Sequence, residues 1–356
     1  MALFHACMVL AAASLAQPTQ PGSFAFHEGK IFLPVALNGE GPFQLVYDTT
    51  AQQGILERAI GKPTPLPDAV PIQNATLHGL KLGGFVFTAS SLRAGPNVEG
   101  ILPAEWLPYA VTFNFRANQV SFSGSAPPAA TTDGYTIPLR RTNDATWRLA
   151  VSINGSQPLE SVLDTRLSTS LALPRSLAEH QGWLTTDTPR LAIIDASTDT
   201  ALVGQTQIRL SQIAAGRAVL NNPVVALTDS NAEPRIGTGF LRRFRVTIDL
   251  PAHYIRLEPD ALYAPTDGPI VGVGVTPAQI DAEGYWLLHV AQGSPADIAG
   301  IRPGDRLADI NRKPMKGAAL DTVHELLAVS EGDKVTLGIL RNGMVQHALM
   351  AARKLL

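Results

Sequence analysis

Strand-like alternation of apolar and polar positions runs through most of this chain, and one stretch of it is written twice. Val35-Ala36-Leu37-Asn38-Gly39, followed by an apolar run ending in Tyr47-Asp48-Thr49, recurs as Val151-Ser152-Ile153-Asn154-Gly155 and Val162-Leu163-Asp164-Thr165. The interval from Asn-Gly to Asp-Thr is ten residues in both copies. Asn-Gly between apolar runs predicts a hairpin, because both residues tolerate the positive φ of a type I′ turn. Each copy therefore reads as a hairpin whose second strand delivers an aspartate at its end. Two equivalent aspartates from two equivalent units are what a pseudo-twofold molecule needs to build a paired-carboxylate site.

Each copy also closes in the same way. Val111 to Phe115, a polar turn and Gln119 to Phe122 in the first correspond to Val246 to Leu250, a turn at Pro251 and Tyr254 to Leu257 in the second. A Gly-containing apolar element precedes each closing hairpin, Gly100-Ile101-Leu102-Pro103 and Arg235-Ile236-Gly237. The copies are offset by 116 residues at the aspartates and 135 at the closing hairpins. The second thus carries extra residues in its middle, read as surface loops or an added helix near Pro174 to Trp183. Gly79 to Phe87 suits a mobile flap hairpin or a core strand equally well. Small-residue and proline stretches at Ser123–Thr132 and Ala264–Pro269 read as linkers.

Beyond the second linker the pattern changes. Ser294 is placed to cap a helix with Pro295 at its first position, and Gly300 suits the left-handed position after its end. Pro303-Gly304-Asp305 is a tight turn feeding a strand from Leu307 to Ile310. A helix over about Leu320 to Val329 and a hairpin around Arg341-Asn342-Gly343 complete the unit. The predicted organisation is a segment 1–16, a lobe over 22–124, a second over 133–262 and a third domain over 270–356.

Composition narrows the function classes. The chain has 356 residues, 45% hydrophobic and 16% charged, with a formal net charge of −2, which argues against nucleic acid as the main partner. Cys7 to Ala13 is a short apolar core, followed by Ser14-Leu15-Ala16 at the expected cleavage positions. Residues 1–16 resemble a secretory signal peptide, although no Lys or Arg precedes the core; a buried N-terminal helix is the competing reading. Cys7 is the single cysteine and would leave with that segment, so disulfides, thiolate metal sites and a cysteine nucleophile are not expected. No other stretch approaches the length of a transmembrane helix. Periplasmic or secreted localisation is expected, with no metal and no cofactor.

The segment from Gly272 onward resembles a bacterial-type PDZ domain through Gly293-Ser294-Pro295-Ala296-x-x-Ala299-Gly300-Ile301-x-Pro303-Gly304-Asp305. That resemblance implies that a peptide adds as a strand to a sheet edge. The implied binding residues are the turn Val271, Gly272, Val273 and Gly274, and on the helix Val323, Leu326 and Leu327, for which a plain core role is the alternative.

The two repeats together resemble retropepsin-like aspartic peptidases joined in one chain. The matching residues are Asp48-Thr49 with Ile101-Leu102, and Asp164-Thr165 with Arg235-Ile236-Gly237. The fold class implied is mainly β: two β-barrel lobes related by a pseudo-twofold, plus an α+β PDZ domain. The resemblance gives Asp48 and Asp164 as a catalytic dyad that shares one proton and activates water, and Thr49 and Thr165 as residues that lock its geometry across the twofold. Thr50 and Arg166 stand where the family has glycine, and Pro103 replaces the later glycine of the first copy. An Arg166 turned to solvent favours a peptidase; an Arg166 paired with either aspartate favours a non-catalytic peptide-binding protein. No Gly-x-Ser-x-Gly or His-Glu-x-x-His motif offers another hydrolase; His324-Glu325 lacks the second histidine, and Gly272-Val273-Gly274 is a turn, not a nucleotide site. The expected function is an endopeptidase with PDZ-mediated peptide capture, and the alternative is a binding protein. Two repeats satisfy the twofold within one chain, so a monomer with a polypeptide partner is expected.

Overall fold

The computed structural model describes residues 18–60, 65–92, 98–126, 134–195, 203–228, 232–259 and 264–356. The signal-peptide reading of residues 1–16 and much of the first linker lie outside the described residues. Contacts divide the chain into two compact units. The first holds most of both repeats; the second joins Pro174–Arg209 and Val224–Ala232 to Asp267–Leu356. The second lobe, expected over 133–262, thus gives up its inserted middle to the unit that contains the C-terminal domain.

In the first unit the duplicated hairpins form as their turns dictate. Strands Lys30–Leu37 and Glu40–Asp48 are joined at Asn38-Gly39, whose φ values are 51° and 84°. Trp147–Ile153 and Leu159–Asp164 are joined through Asn154-Gly155, with φ of 49° and 75°. Trp147, Leu149, Val151 and Ile153 are buried in strict alternation, leaving one face of that strand outward. Toward their ends the aspartate-bearing strands are buried on both faces, at Leu45–Asp48 and Ser161–Asp164.

A short strand pins each of those ends. Gly100–Pro103 runs parallel to Glu40–Asp48 with Ile101 opposite Val46 and Pro103 opposite Asp48. Arg235–Gly237 runs parallel to Leu159–Asp164 with Arg235 opposite Val162 and Gly237 opposite Asp164. Pro103 and Gly237, and likewise Ile101 and Arg235, are therefore equivalent positions.

The closing hairpins Tyr109–Asn114/Gln119–Gly124 and Phe244–Asp249/Tyr254–Pro259 meet in one six-stranded sheet. Its two central strands are antiparallel, with Val111 opposite Ile248, Thr112 opposite Thr247 and Phe113 opposite Val246. Thr112 and Thr247 are the same position of the two copies, so the pseudo-twofold passes between them, and their hydroxyls are 2.8 Å apart. Gly79 to Phe87 is sheet, not a free hairpin. Leu80–Leu82 pairs with Ala75–Leu77, and Phe85–Ser90 lies between Ala69–Ile72 and Ile55–Glu57. Phe85 and Phe87 are buried against Trp106, the former stacked at 4.5 Å.

The second unit contains the expected C-terminal elements: strands Val275–Ile280, Trp286–Ala291, Arg306–Ile310, Lys334–Arg341 and Met344–Ala351, with helices Pro295–Ile298 and Leu320–Leu327. Ser294 caps the first helix by accepting the Asp297 N–H, and Gly300 takes φ of 82° after its end. Its core gathers Trp286, Leu288, Leu307, Ile310 and Val335. The same unit includes the helix Arg175–His180, where the added helix was expected, and the hairpin Arg190–Asp195/Val203–Arg209.

Candidate functional site

Asp48 and Asp164 end equivalent strands, and the residues after them are bonded to each other across the pseudo-twofold. The Thr49 N–H donates to Thr165 Oγ1 at 3.1 Å, and the Thr165 N–H to Thr49 Oγ1 at 3.2 Å. Thr49 Oγ1 in turn donates to the Leu163 carbonyl at 2.6 Å, and Thr165 Oγ1 to the Tyr47 carbonyl at 2.8 Å. Both threonines are buried, so each hydroxyl spends its one proton on the opposite copy's backbone and accepts that copy's amide in return.

Asp48 is fully buried. Its Oδ1 accepts the Thr50 N–H and the Thr50 hydroxyl, both at 2.7 Å, and the Ala51 N–H at 3.1 Å. The Thr50 side chain is thus a ligand of the carboxylate. Asp164 Oδ1 accepts the Arg166 N–H at 3.0 Å. Arg166 then reaches across, its Nη1 lying 3.5 Å from Asp48 Oδ2. Arg235 closes the cluster from the neighbouring strand, with Nη1 at 2.8 Å from Asp164 Oδ2. Each carboxylate has its own guanidinium, and Arg166 touches both aspartates. Beneath them the Tyr47 phenol is pushed well above its ordinary range, first by burial and then by the charges of Asp249 and Asp48.

Sequence reading singled out Asp48, Asp164, Thr49, Thr165 and the substitution at Arg166, and the fold brings all five together. Arg235 was noted only as part of a short apolar element. Its signal was a charged residue at the position where the first copy has Ile101, one strand away from an aspartate.

The second candidate site lies in the second unit. A cavity of about 180 Å³ is lined by the turn Val271 to Gly274, by Val275 and Leu327, and by Leu191 and Gln207 of the inserted hairpin. Val323 does not line it; that side chain is fully buried in the domain core, with Leu326 packed at the core's margin. Gly274 has φ of 85°, and a Cβ there would lie 2.1 Å from the Ser294 side chain, so the turn needs glycine on both counts. Strand Val275–Ile280 pairs with Trp286–Ala291 on one side only, leaving its other edge open among the described residues.

A family model described as PDZ domain matches residues 288–341. The probable periplasmic serine endoprotease DegP-like of Buchnera aphidicola subsp. Baizongia pistaciae (strain Bp) is 36% identical over 72 residues, 20% of this chain and 15% of that protein. The probable CtpA-like serine protease of Staphylococcus aureus (strain bovine RF122 / ET3-1) is 38% identical over 74 residues, 21% of this chain and 15% of that protein. The chain therefore spans about 15% of the length of these curated relatives. Among solved structures, Basic 7S globulin from soybean aligns at a TM-score of 0.42 with 11% identity, over 69% of this chain and 94% of that one. A retropepsin-like aspartic protease from Rickettsia conorii aligns at a TM-score of 0.28 with 19% identity, over 36% of this chain and 95% of that one. The chain is a β-rich, barrel-lobed protein that carries a PDZ domain at its C-terminal end.

Proposed function

We propose that this chain is a periplasmic or secreted peptide-binding protein: a peptidase-like two-lobed body whose aspartates are occupied by arginines, joined to a PDZ domain that captures peptide ends. The observation that carries this reading is Arg166, bonded through its N–H to Asp164 and set 3.5 Å from Asp48 by its side chain, with Arg235 on the remaining Asp164 oxygen. Water activation by two carboxylates needs one ionised and one protonated. Here the outer oxygens that would hold and polarise such a water already face guanidiniums, Asp48 Oδ2 that of Arg166 and Asp164 Oδ2 that of Arg235. The Thr50 hydroxyl on Asp48 Oδ1 fills a further position from which a water would be activated.

The second reading, an aspartic endopeptidase built on Asp48 and Asp164, is favoured by one specific observation. The reciprocal Thr49–Thr165 bonds keep the scaffold of a working dyad. Extracytoplasmic placement is supported by the signal-like residues 1–16 and by the word periplasmic in the name of the DegP-like relative. The open edge of Val275–Ile280 supports peptide addition as a strand, and the presence of both repeats in one chain supports a monomer.

Incubation with a peptide library from acidic to neutral pH separates the readings, with Asp48→Asn and Asp164→Asn as controls. The expected outcome is no aspartate-dependent cleavage by the natural sequence. Cleavage that both controls abolish would overturn the binding reading. A double variant, Thr50→Gly with Arg166→Gly, tests whether the substituted glycines are what silences the pair.

A further inference from the structure

The hairpin inserted into the second repeat belongs to the same compact unit as the PDZ domain. Arg190–Asp195 pairs antiparallel with Trp286–Ala291, with Ile193 opposite Ala291 and Ile194 opposite Val290. The Gln292 N–H extends this ladder to the Ala192 carbonyl at 2.7 Å. A separate apolar cluster seals the junction, with Leu191, Ala291 and Leu356 buried and Val224, Ile270 and Leu355 packed around them. The Val224 N–H donates to Asp267 Oδ2 at 2.9 Å, and Arg209 Nη2 donates to the Leu356 carbonyl at 3.2 Å. These contacts fix the hairpin where it faces the Val271 to Gly274 turn.

Three hydrogen-bonding groups around that turn have no acceptor among the described residues: the N–H groups of Val273 and Gly274 and the carboxamide of Gln207, a half-buried residue. Val273 is buried, and buried backbone N–H groups are paired in the great majority of cases, so its open donor points to something that binds there. Around them stand Leu191, Val275 and Leu327. The cavity, at about 180 Å³, is on the scale of the engineered apolar cavities of about 150 Å³ that take a benzene-sized group.

We propose that the inserted hairpin is a wall of the peptide site, and that Gln207 donates to the α-carboxylate of a bound chain end whose last, apolar side chain lies among Leu191, Val275 and Leu327. This rests on the peptide-binding reading above and adds to it a residue from outside the PDZ domain. Convergent backbone N–H donors with a carboxamide NH2 beside them suit an anion, apolar walls suit a hydrophobic side chain, and a chain terminus presents both within one residue. An amidated terminus loses the negative charge and replaces one acceptor oxygen with an NH2 donor, which the two backbone N–H groups cannot accept.

The test is fluorescence anisotropy on the full chain with two pools of labelled decapeptides, randomised over their last four residues and ending in a free carboxylate or an amide. The natural sequence is expected to bind the free-acid pool at least about tenfold more tightly. Gln207→Glu places a like charge beside the carboxylate and is expected to remove about tenfold or more of that preference, while leaving the amide pool unchanged; Gln207→Ala is expected to remove about threefold to tenfold. Thermal melts of each variant separate lost binding from lost folding. If both Gln207 variants bind the free-acid pool as the natural sequence does while Leu327→Arg abolishes binding, the hairpin has no part in the site and the PDZ reading stands alone. If the natural sequence binds neither pool, the peptide-binding reading falls and the hairpin proposal falls with it.

Discussion

Thr49 and Thr165 each use one small side chain to satisfy two backbone groups of the opposite copy, an amide as acceptor and a carbonyl as donor. Burial makes this costly to undo. Thr49→Val keeps the approximate shape but leaves the Thr165 N–H and the Leu163 carbonyl without partners, at about 1–3 kcal/mol each. A loss of about 2–5 kcal/mol in urea unfolding is expected, whereas Thr49→Ser, which keeps the hydroxyl, should lose about 1 kcal/mol. Equal midpoints for Val and Ser would show that the cross-bonds contribute nothing. The repeated Asp-Thr made these residues readable from sequence, because identical spacing in two copies implies identical placement about a twofold. Arg235 was not readable in the same way. Its approach to Asp164 depends on which strand lies beside Leu159–Asp164, and local pattern does not carry that information.

Among the elements, those governed by local chemistry were legible in the sequence. Both Asn-Gly hairpins, the Ser294 cap and the Gly300 terminus form where turn and capping residues place them. The short strand Arg235–Gly237 is a different case, since three residues carry no period to read. It is wedged between Leu159–Asp164 on one side and Leu171–Pro174 on the other. Gly237 is the point of closest approach: a Cβ there would lie 2.4 Å from the carbonyl oxygens of both Leu167 and Thr169. Gly237→Ala should therefore force the backbone apart, at about 1–3 kcal/mol, measurable as a lowered denaturation midpoint. An unchanged midpoint would mean that the loop at 167–169 gives way freely. Pro103 occupies the equivalent place in the first copy, so the close approach made at Gly237 is not required to build this strand.

For the whole molecule, the repeat boundary and the packing boundary do not coincide. The sequence divides cleanly at linkers, yet the insertion Pro174–Arg209 packs with residues far along the chain. Nothing in its composition marks it as part of another domain; the evidence is strand pairing between residues nearly a hundred positions apart, Ile193 with Ala291. Leu191 is the buried side chain of the hairpin in that junction. Leu191→Ala should cost about 2 kcal/mol and raise hydrogen exchange in Trp286–Ala291, across a supposed domain boundary. Exchange unaltered there would show the PDZ domain to be independent of the insertion.

The contact of Thr112 with Thr247 is a contact of one position with itself, which is what two identical chains make when they dimerise about a twofold. Duplication and fusion of such a chain would lift a constraint that a homodimer cannot escape. In a homodimer, any substitution after the Asp-Thr pair appears twice, so an arginine would face an arginine across the axis. In the fused chain the copies are free to differ, and they do: threonine follows one Asp-Thr pair and arginine the other. A single arginine can then touch both aspartates, one through its backbone N–H and the other through its guanidinium, without meeting its own image.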